Sequence, residues 1–153
     1  MKILIIGPVG AGKTTLAKTL SNKYNIKHYE IDSIVHDDNE GGRKRTEEEQ
    51  NRIIKQIDKQ NDWIIEGTLR KNLYYLLEIS EKIIYLDIPK RTRNIRILTR
   101  FIKQKLKIEK VNYNSTLEML KLMYKWSRKH ENKKQQLEEC LNKYTEKLEI
   151  IQK

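Results

Sequence analysis

Gly7-Pro8-Val9-Gly10-Ala11-Gly12-Lys13-Thr14 decides how this chain is read, because it fits the pattern G-x-x-x-x-G-K-[ST]. A short apolar run, Ile3-Leu4-Ile5-Ile6, leads into it. A stretch of helical spacing follows, Thr15 to Tyr24, with Leu16 and Leu20 on one face. Strand, glycine-rich loop and helix form the setting that a phosphate-binding loop requires. Glycines let the backbone curl until several N–H groups point inward, and the helix start adds its partial positive charge. Lys13 would then reach the β- and γ-phosphates of a nucleotide, and Thr14 would offer its hydroxyl to Mg²⁺. Nucleotide binding, by the backbone from Gly7 to Thr15, is the strongest implication of the sequence.

Working outward, Lys2–Ile6 is predicted as a central strand and residues from about Lys13 to Tyr24 as the first helix. Ile26–Ile31 reads as a second short strand. A polar stretch from Ser33 to Arg45 follows, broken at Gly41-Gly42. Thr46 and Glu49 form a capping box that opens a helix to about Lys59, with Ile53, Ile54 and Ile57 facing inward. Trp63-Ile64-Ile65 is the third strand, with Glu66-Gly67-Thr68-Leu69-Arg70 at its C-terminal end. A helix then runs to about Ile79, and Lys82–Asp87 is the fourth strand, stopped by Pro89. Strands alternating with helices imply an α/β, doubly wound, mainly parallel sheet. Ligands of such sheets sit outside the C-terminal strand ends, where Asp32, Glu66 and Arg70 fall.

The second half is basic. Residues 1–87 hold 14 Lys/Arg and 14 Asp/Glu, while residues 88–153 hold 18 and 7, so the whole net charge of +11 lies there. Thr92 to about Lys107 is predicted helical, with Arg93, Arg96, Arg100, Lys103 and Lys107 in one stripe. Ile95, Leu98, Ile102 and Leu106 line the opposite side. The stripe reads either as the solvated face of a helix or, since three of its members are arginines, as a set of phosphate contacts. Ser115 and Glu118 make a second capping box, opening a helix through Leu117, Leu120, Met123 and Tyr124 toward Trp126. Residues 127–143 continue as a charged helix, and Leu148–Ile151 is a fifth strand. The gap from Ile108 to Asn114 is expected to be a mobile connection.

Composition excludes several classes. One cysteine, Cys140, allows no intrachain disulfide, and no stretch reaches membrane-spanning length. The chain reads as one cytoplasmic, monomeric domain over residues 1–153. His28, His36 and His130 are scattered without metal-ligand spacing. Asp38-Asn39-Glu40-Gly41 fits D-x-x-G, but no N-K-x-D for guanine follows it.

Three spaced motifs together resemble the nucleoside-monophosphate kinase branch of the P-loop proteins. After the loop, Glu66-Gly67-x-x-Arg70 resembles the D-G-x-x-R of adenylate kinases, and Asp87-Ile88-Pro89 resembles their D-V-P. Arg96 and Arg100 fall where that family carries R-x-x-x-R at the start of its lid. Within the branch the chain is most similar to the bacterial DNA topology modulation proteins. That likeness includes Asp32, Gly41-Gly42-Arg43-Lys44-Arg45-Thr46-Glu47-Glu48, Asp62-Trp63-Ile64-Ile65, and Lys125-Trp126 with Arg128. Glu66 stands where the family has Asp, and the chain stops at the fifth strand, where the family adds an adenine-contacting loop.

The resemblance implies a three-layer P-loop fold with a five-stranded parallel sheet in the order 2-3-1-4-5. It also implies an acceptor-binding insert at about residues 33–60 and a helical lid at about 96–128. ATP and Mg²⁺ are the implied cofactors, with transfer of the γ-phosphoryl group to a small acceptor, most simply a nucleotide. On this reading Arg96 stacks on adenine, while Arg100 and Arg128 stabilise charge on the transferring group. Glu66, or its rival Asp87, holds a metal-bound water. Asp32, with Gly67 close by, meets the acceptor, and Arg43, Arg45 and Arg70 meet its phosphate. The competing reading is an ATP-regulated nucleic-acid-binding protein that uses the basic second half on DNA.

Overall fold

The computed structural model describes residues 1–37, 41–106 and 116–152. Strand β1 (Lys2–Ile6) is the centre of the sheet, and its KILII sequence explains why. Leu4, Ile5 and Ile6 are fully buried, so the strand has an apolar layer on both faces. Each such side chain contributes about 1.5–3 kcal/mol by leaving water. Helix α1 (Lys13–Tyr24) follows the loop and returns the chain to β2 (His28–Glu30). Four short elements come next: α2 (Ile31–Val35), β3 (His36–Asp37), β4 (Arg43–Lys44) and α3 (Glu47–Asp58). Strand β5 (Trp63–Gly67), α4 (Tyr75–Ile79) and β6 (Lys82–Leu86) complete the first half. Then come α5 (Lys90–Lys105), α6 (Leu117–Glu131), α7 (Lys134–Leu141) and β7 (Leu148–Ile151).

The five-stranded sheet runs β2-β5-β1-β6-β7 with every neighbouring pair parallel. Counted over the sheet strands alone, that is the order 2-3-1-4-5. One face packs Leu4, Ile6, Trp63 and Ile65 against Ile31, Ile34, Ile54, Leu76 and Leu141. The other packs Ile3, Ile5, Ile64 and Ile84 against Ala11 and Ala17. The Thr46 capping box is present, with the Glu49 amide donating to Thr46 Oγ1 and the Thr46 amide to Glu49.

Several boundaries differ from the sequence reading. The second strand ends at Glu30, and Ile31 opens a short helix. Ile31 is fully buried on the face of Gly67, where a Cβ on the glycine would come within 2.6 Å of Ile31 Cβ. The stretch read as merely polar folds into an antiparallel ribbon, β3 on β4. The helix expected over 127–143 breaks at Asn132-Lys133; beyond the break Asp87 holds Lys134 at 2.7 Å and Leu141 lies in the core. Among described residues the cap of α6 is Thr116, which accepts from the Met119 amide at 3.1 Å. Ser115, Lys107, the Ile108–Asn114 connection and Asp38–Glu40 lie outside the described residues.

Helix α5 turns part of its basic stripe inward. Its apolar stripe faces out, with Ile95 at 65% and Leu106 at 64% exposure, while Arg93 is fully buried and Ile97 nearly so. Apolar-inward logic fails here because the neighbours of this helix offer acceptors. Arg93 Nε donates to Ile88 O at 2.9 Å, Nη1 to Ser127 Oγ at 2.8 Å, and Nη2 to Glu131. The guanidinium can be buried because its donors are met.

Candidate functional site

The loop between β1 and α1 is shaped by close packing. A Cβ at Gly7 would lie 2.8 Å from Leu86 O, and one at Gly10, where φ is +78°, would lie 3.0 Å from Arg93 O. The loop therefore lies against the end of β6 and the side of α5, and Ala11 is buried in the core beside it. Lys13 folds over the loop and donates to Pro8 O at 2.9 Å. Burial pushes its ammonium below the usual value, against the attraction of Glu66 and Asp32.

Glu66 ends β5 beside the loop, in register with Ile5, and is 3% exposed. Thr14 Oγ1 donates to Glu66 Oε1 at 2.5 Å. Burial raises the Glu66 carboxyl above its ordinary value, opposed by the Thr14 bond and by Lys13. A hydroxyl and a carboxylate meeting in a buried corner are hard oxygen donors of the kind Mg²⁺ takes. The residues present therefore fit that ion. Its rival is otherwise engaged: Asp87 accepts from Lys134 at 2.7 Å and from Gln152 at 2.8 Å. Although burial works against it, those bonds hold the Asp87 carboxyl below its usual value.

A cleft of about 640 Å³ opens from the loop, with Gly7, Pro8 and Val9 on one side. Asp32 and Arg70 line it, and Arg70 Nη2 donates to Asp32 Oδ1 at 3.1 Å. Arg96 lies over the loop, its Nη1 donating to Ala11 O at 3.0 Å. Arg100 follows one turn later, in the groove that Ile97 and Phe101 share with Met119 and Leu120.

Other residues singled out from the sequence sit elsewhere. Arg43 forks onto Glu49 at 3.0 and 3.1 Å, a bond that pulls the Glu49 carboxyl down to about 2. Arg45 donates to Ser33 O and His36 O, both at 2.7 Å, and pairs with Asp37, closing the end of α2. Arg128 is exposed on α6 and does not line the cleft. The far wall is instead Trp126, Lys129, His130 and Lys133, none of which the sequence reading assigned to the site. Their spacing of three and four residues places them on one face of α6 and the turn after it, a signal present in the sequence. His130 Nε2 lies 3.3 Å from Tyr85 Oη. Burial and the nearby Arg93 depress its imidazole to about 4.

Comparison with known proteins follows the same lines. A family model described as "AAA domain" matches residues 3–121. Over 34 residues the chain is 56% identical to an adenylate kinase of Clostridium beijerinckii and 53% identical to one of Clostridium perfringens. Those 34 residues are 22% of this chain and 16% of either enzyme, so the match spans only a small part of those relatives. Among solved structures, a deoxyadenosine kinase from M. mycoides with bound dATP aligns with a TM-score of 0.56 at 16% identity, over 99% of this chain and 91% of that one. A shikimate kinase from Bacteroides thetaiotaomicron aligns with a TM-score of 0.53 at 16% identity, over 85% and 79%. Both share the α/β fold of the chain.

Proposed function

The chain belongs to the AAA domain family, and from that premise we propose that it is an ATP-dependent phosphotransferase, moving the γ-phosphoryl group of ATP to a small acceptor, most simply a nucleotide. The carrying observation is that one cleft joins the phosphate loop at Gly7–Val9 to the Asp32–Arg70 pair. Donor and acceptor ends of a transfer thus share one open volume. The short matches to adenylate kinases and the kinase folds of the structural neighbours support the same reading.

Phosphoryl transfer needs alignment and charge neutralisation more than covalent chemistry. The loop amides and Lys13 hold the β- and γ-phosphates, Lys13 exchanging its bond to Pro8 O for phosphate oxygens. Thr14 and, through water, Glu66 would hold Mg²⁺, which would supply positive charge beside the transferring group. Arg96 lies against Ala11 O, above the loop, and reaches the nucleotide from that side. Arg100, one turn after Arg96 on α5, would stabilise charge on the transferring group, whereas Arg128 on α6 stands outside the cleft. Asp32, braced by Arg70, faces the acceptor. A hydroxyl acceptor gives Asp32 its proton as the new O–P bond forms, and ADP leaves with the electrons of the broken bond.

The test follows ADP release with ATP-Mg²⁺ and a panel of nucleosides, nucleotides and sugar phosphates, with Lys13→Ala as control. Acceptor-dependent turnover that falls at least a thousandfold in Lys13→Ala is expected, the order of loss seen when transition-state charge stabilisation is removed. ATP binding without turnover on any acceptor would overturn the reading.

A further inference from the structure

The acceptor wall contributed by α6 and the turn before α7 has unspent recognition chemistry. Trp126 is 44% exposed and lines the cleft, whereas the only other tryptophan, Trp63, is fully buried. Lys129 and Lys133 line the same wall. The carboxylates on these helices that form ion pairs serve other cations. Glu131 is held by Arg93, and Glu138 lies 3.6 Å from Lys134, which also takes Asp87. No described acidic side chain pairs with Lys129 or Lys133. Two uncompensated ammonium groups within two helical turns of an exposed indole therefore face an open volume of about 640 Å³.

We infer that this wall selects the acceptor, taking a planar ring against Trp126 and an anionic substituent, phosphate or carboxylate, on Lys129 and Lys133. The inference deepens the phosphotransferase reading and rests on it for the word acceptor. An aromatic face receives any planar ring, at a gain that alanine substitution puts at about 1–3 kcal/mol for a base, a loss of about fivefold or more. Hydrogen bonds to a charged donor are stronger than neutral ones, so losing each is expected to weaken an anion by about tenfold. The wall is the specificity determinant, while Asp32 and Arg70 set where the reacting oxygen lies.

The presence of one exposed and one buried tryptophan makes the experiment direct. Tryptophan fluorescence of the full-length chain, loaded with ATP-Mg²⁺ analogue, is titrated with AMP, adenosine, ribose 5-phosphate and benzoate. AMP is expected to quench the exposed tryptophan. Adenosine and ribose 5-phosphate, each lacking one half of the recognition, are expected to bind at least about tenfold more weakly. Benzoate distinguishes a carboxylate from a phosphate as the anion read. In K129Q/K133Q the AMP midpoint rises by at least tenfold with ATP affinity within twofold, and in W126F the quench disappears. Equal binding of adenosine and AMP, an unchanged midpoint in K129Q/K133Q, or no quench by any of the four compounds would overturn the inference. Turnover unaffected by these variants would leave the phosphotransferase standing and remove the wall. Quenching without turnover would do the reverse.

Discussion

Replacing Arg93 by methionine keeps most of the side-chain volume while removing the guanidinium, and the outcome can be worked from its contacts. The guanidinium is wholly buried and spans Ile88 O, Ser127 Oγ and O, and Glu131, joining the start of α5 to the last turns of α6. Removing one partner of a buried charged pair costs about 3–5 kcal/mol, because the remaining groups stay desolvated. Glu131 is 40% exposed and recovers some hydration, which places the expected loss near the lower end, about 3 kcal/mol. For a chain of this size each kcal/mol moves the melting temperature by about 2–4 °C, so R93M should melt about 6–12 °C lower. Circular dichroism melts of the ligand-free chain at pH 7 measure this directly. E131Q alone should cost a comparable amount, about 3 kcal/mol, since it leaves the fully buried guanidinium without its carboxylate. In the double variant the loss should fall short of the sum. An R93M melt within 2 °C of the parent would refute the claim that this arginine locks α5 to α6.

Two further outcomes follow from buried groups. In the folded chain His130, facing Tyr85, Arg93, Glu131, Lys13 and Asp87, stays neutral down to about pH 4, while the unfolded chain takes up the proton near 6.5. The stability this confers is present above pH 6.5 and lost as the pH falls through 4; H130Q should retain on the order of 2 kcal/mol of it in urea melts across that window, and superimposable acid limbs would exclude the assignment. Gly67→Ala should cost about 1–3 kcal/mol in urea midpoint, because the added methyl would meet Ile31 Cβ at 2.6 Å. I31V should not rescue it, as valine keeps the obstructing atom.

Much of the donor side was legible in the sequence because the phosphate loop is local: a strand, eight residues and a helix carry their own geometry. Glu66 and Asp87 stand as rivals in the sequence, and in the structure their partners differ. One meets Thr14, and the other is taken by Lys134 and Gln152. The parallel sheet followed from strands alternating with helices, and its strand order from the resemblance to the kinase branch. The far wall of the cleft was legible only as a helical spacing of Trp126, Lys129, His130 and Lys133, because nothing local shows that this face meets the cleft. Lys133 lines the cleft just beyond the end of α6, beside Lys134, which Asp87 holds. Arg43 and Arg45 read as phosphate ligands because sequence shows a cation but not the Glu49 and Asp37 carboxylates, or the backbone carbonyls of α2, that take it up. The orientation of α5 was left open by the sequence for a related reason. A helix facing carbonyls turns arginine inward, and periodicity alone carries no record of what lies opposite.

The abutment of Gly67 on Ile31 has a consequence for how variants of such chains are interpreted. Asp32 follows Ile31 in the same first turn, so the carboxylate inherits its position from a contact between two groups that carry no polar side-chain atoms. A change at either residue would displace that carboxylate with every charged side chain intact and, on the proposed reading, would register as altered turnover. An inventory of polar positions would pass over the cause, which lies in steric fit one layer beneath the chemistry.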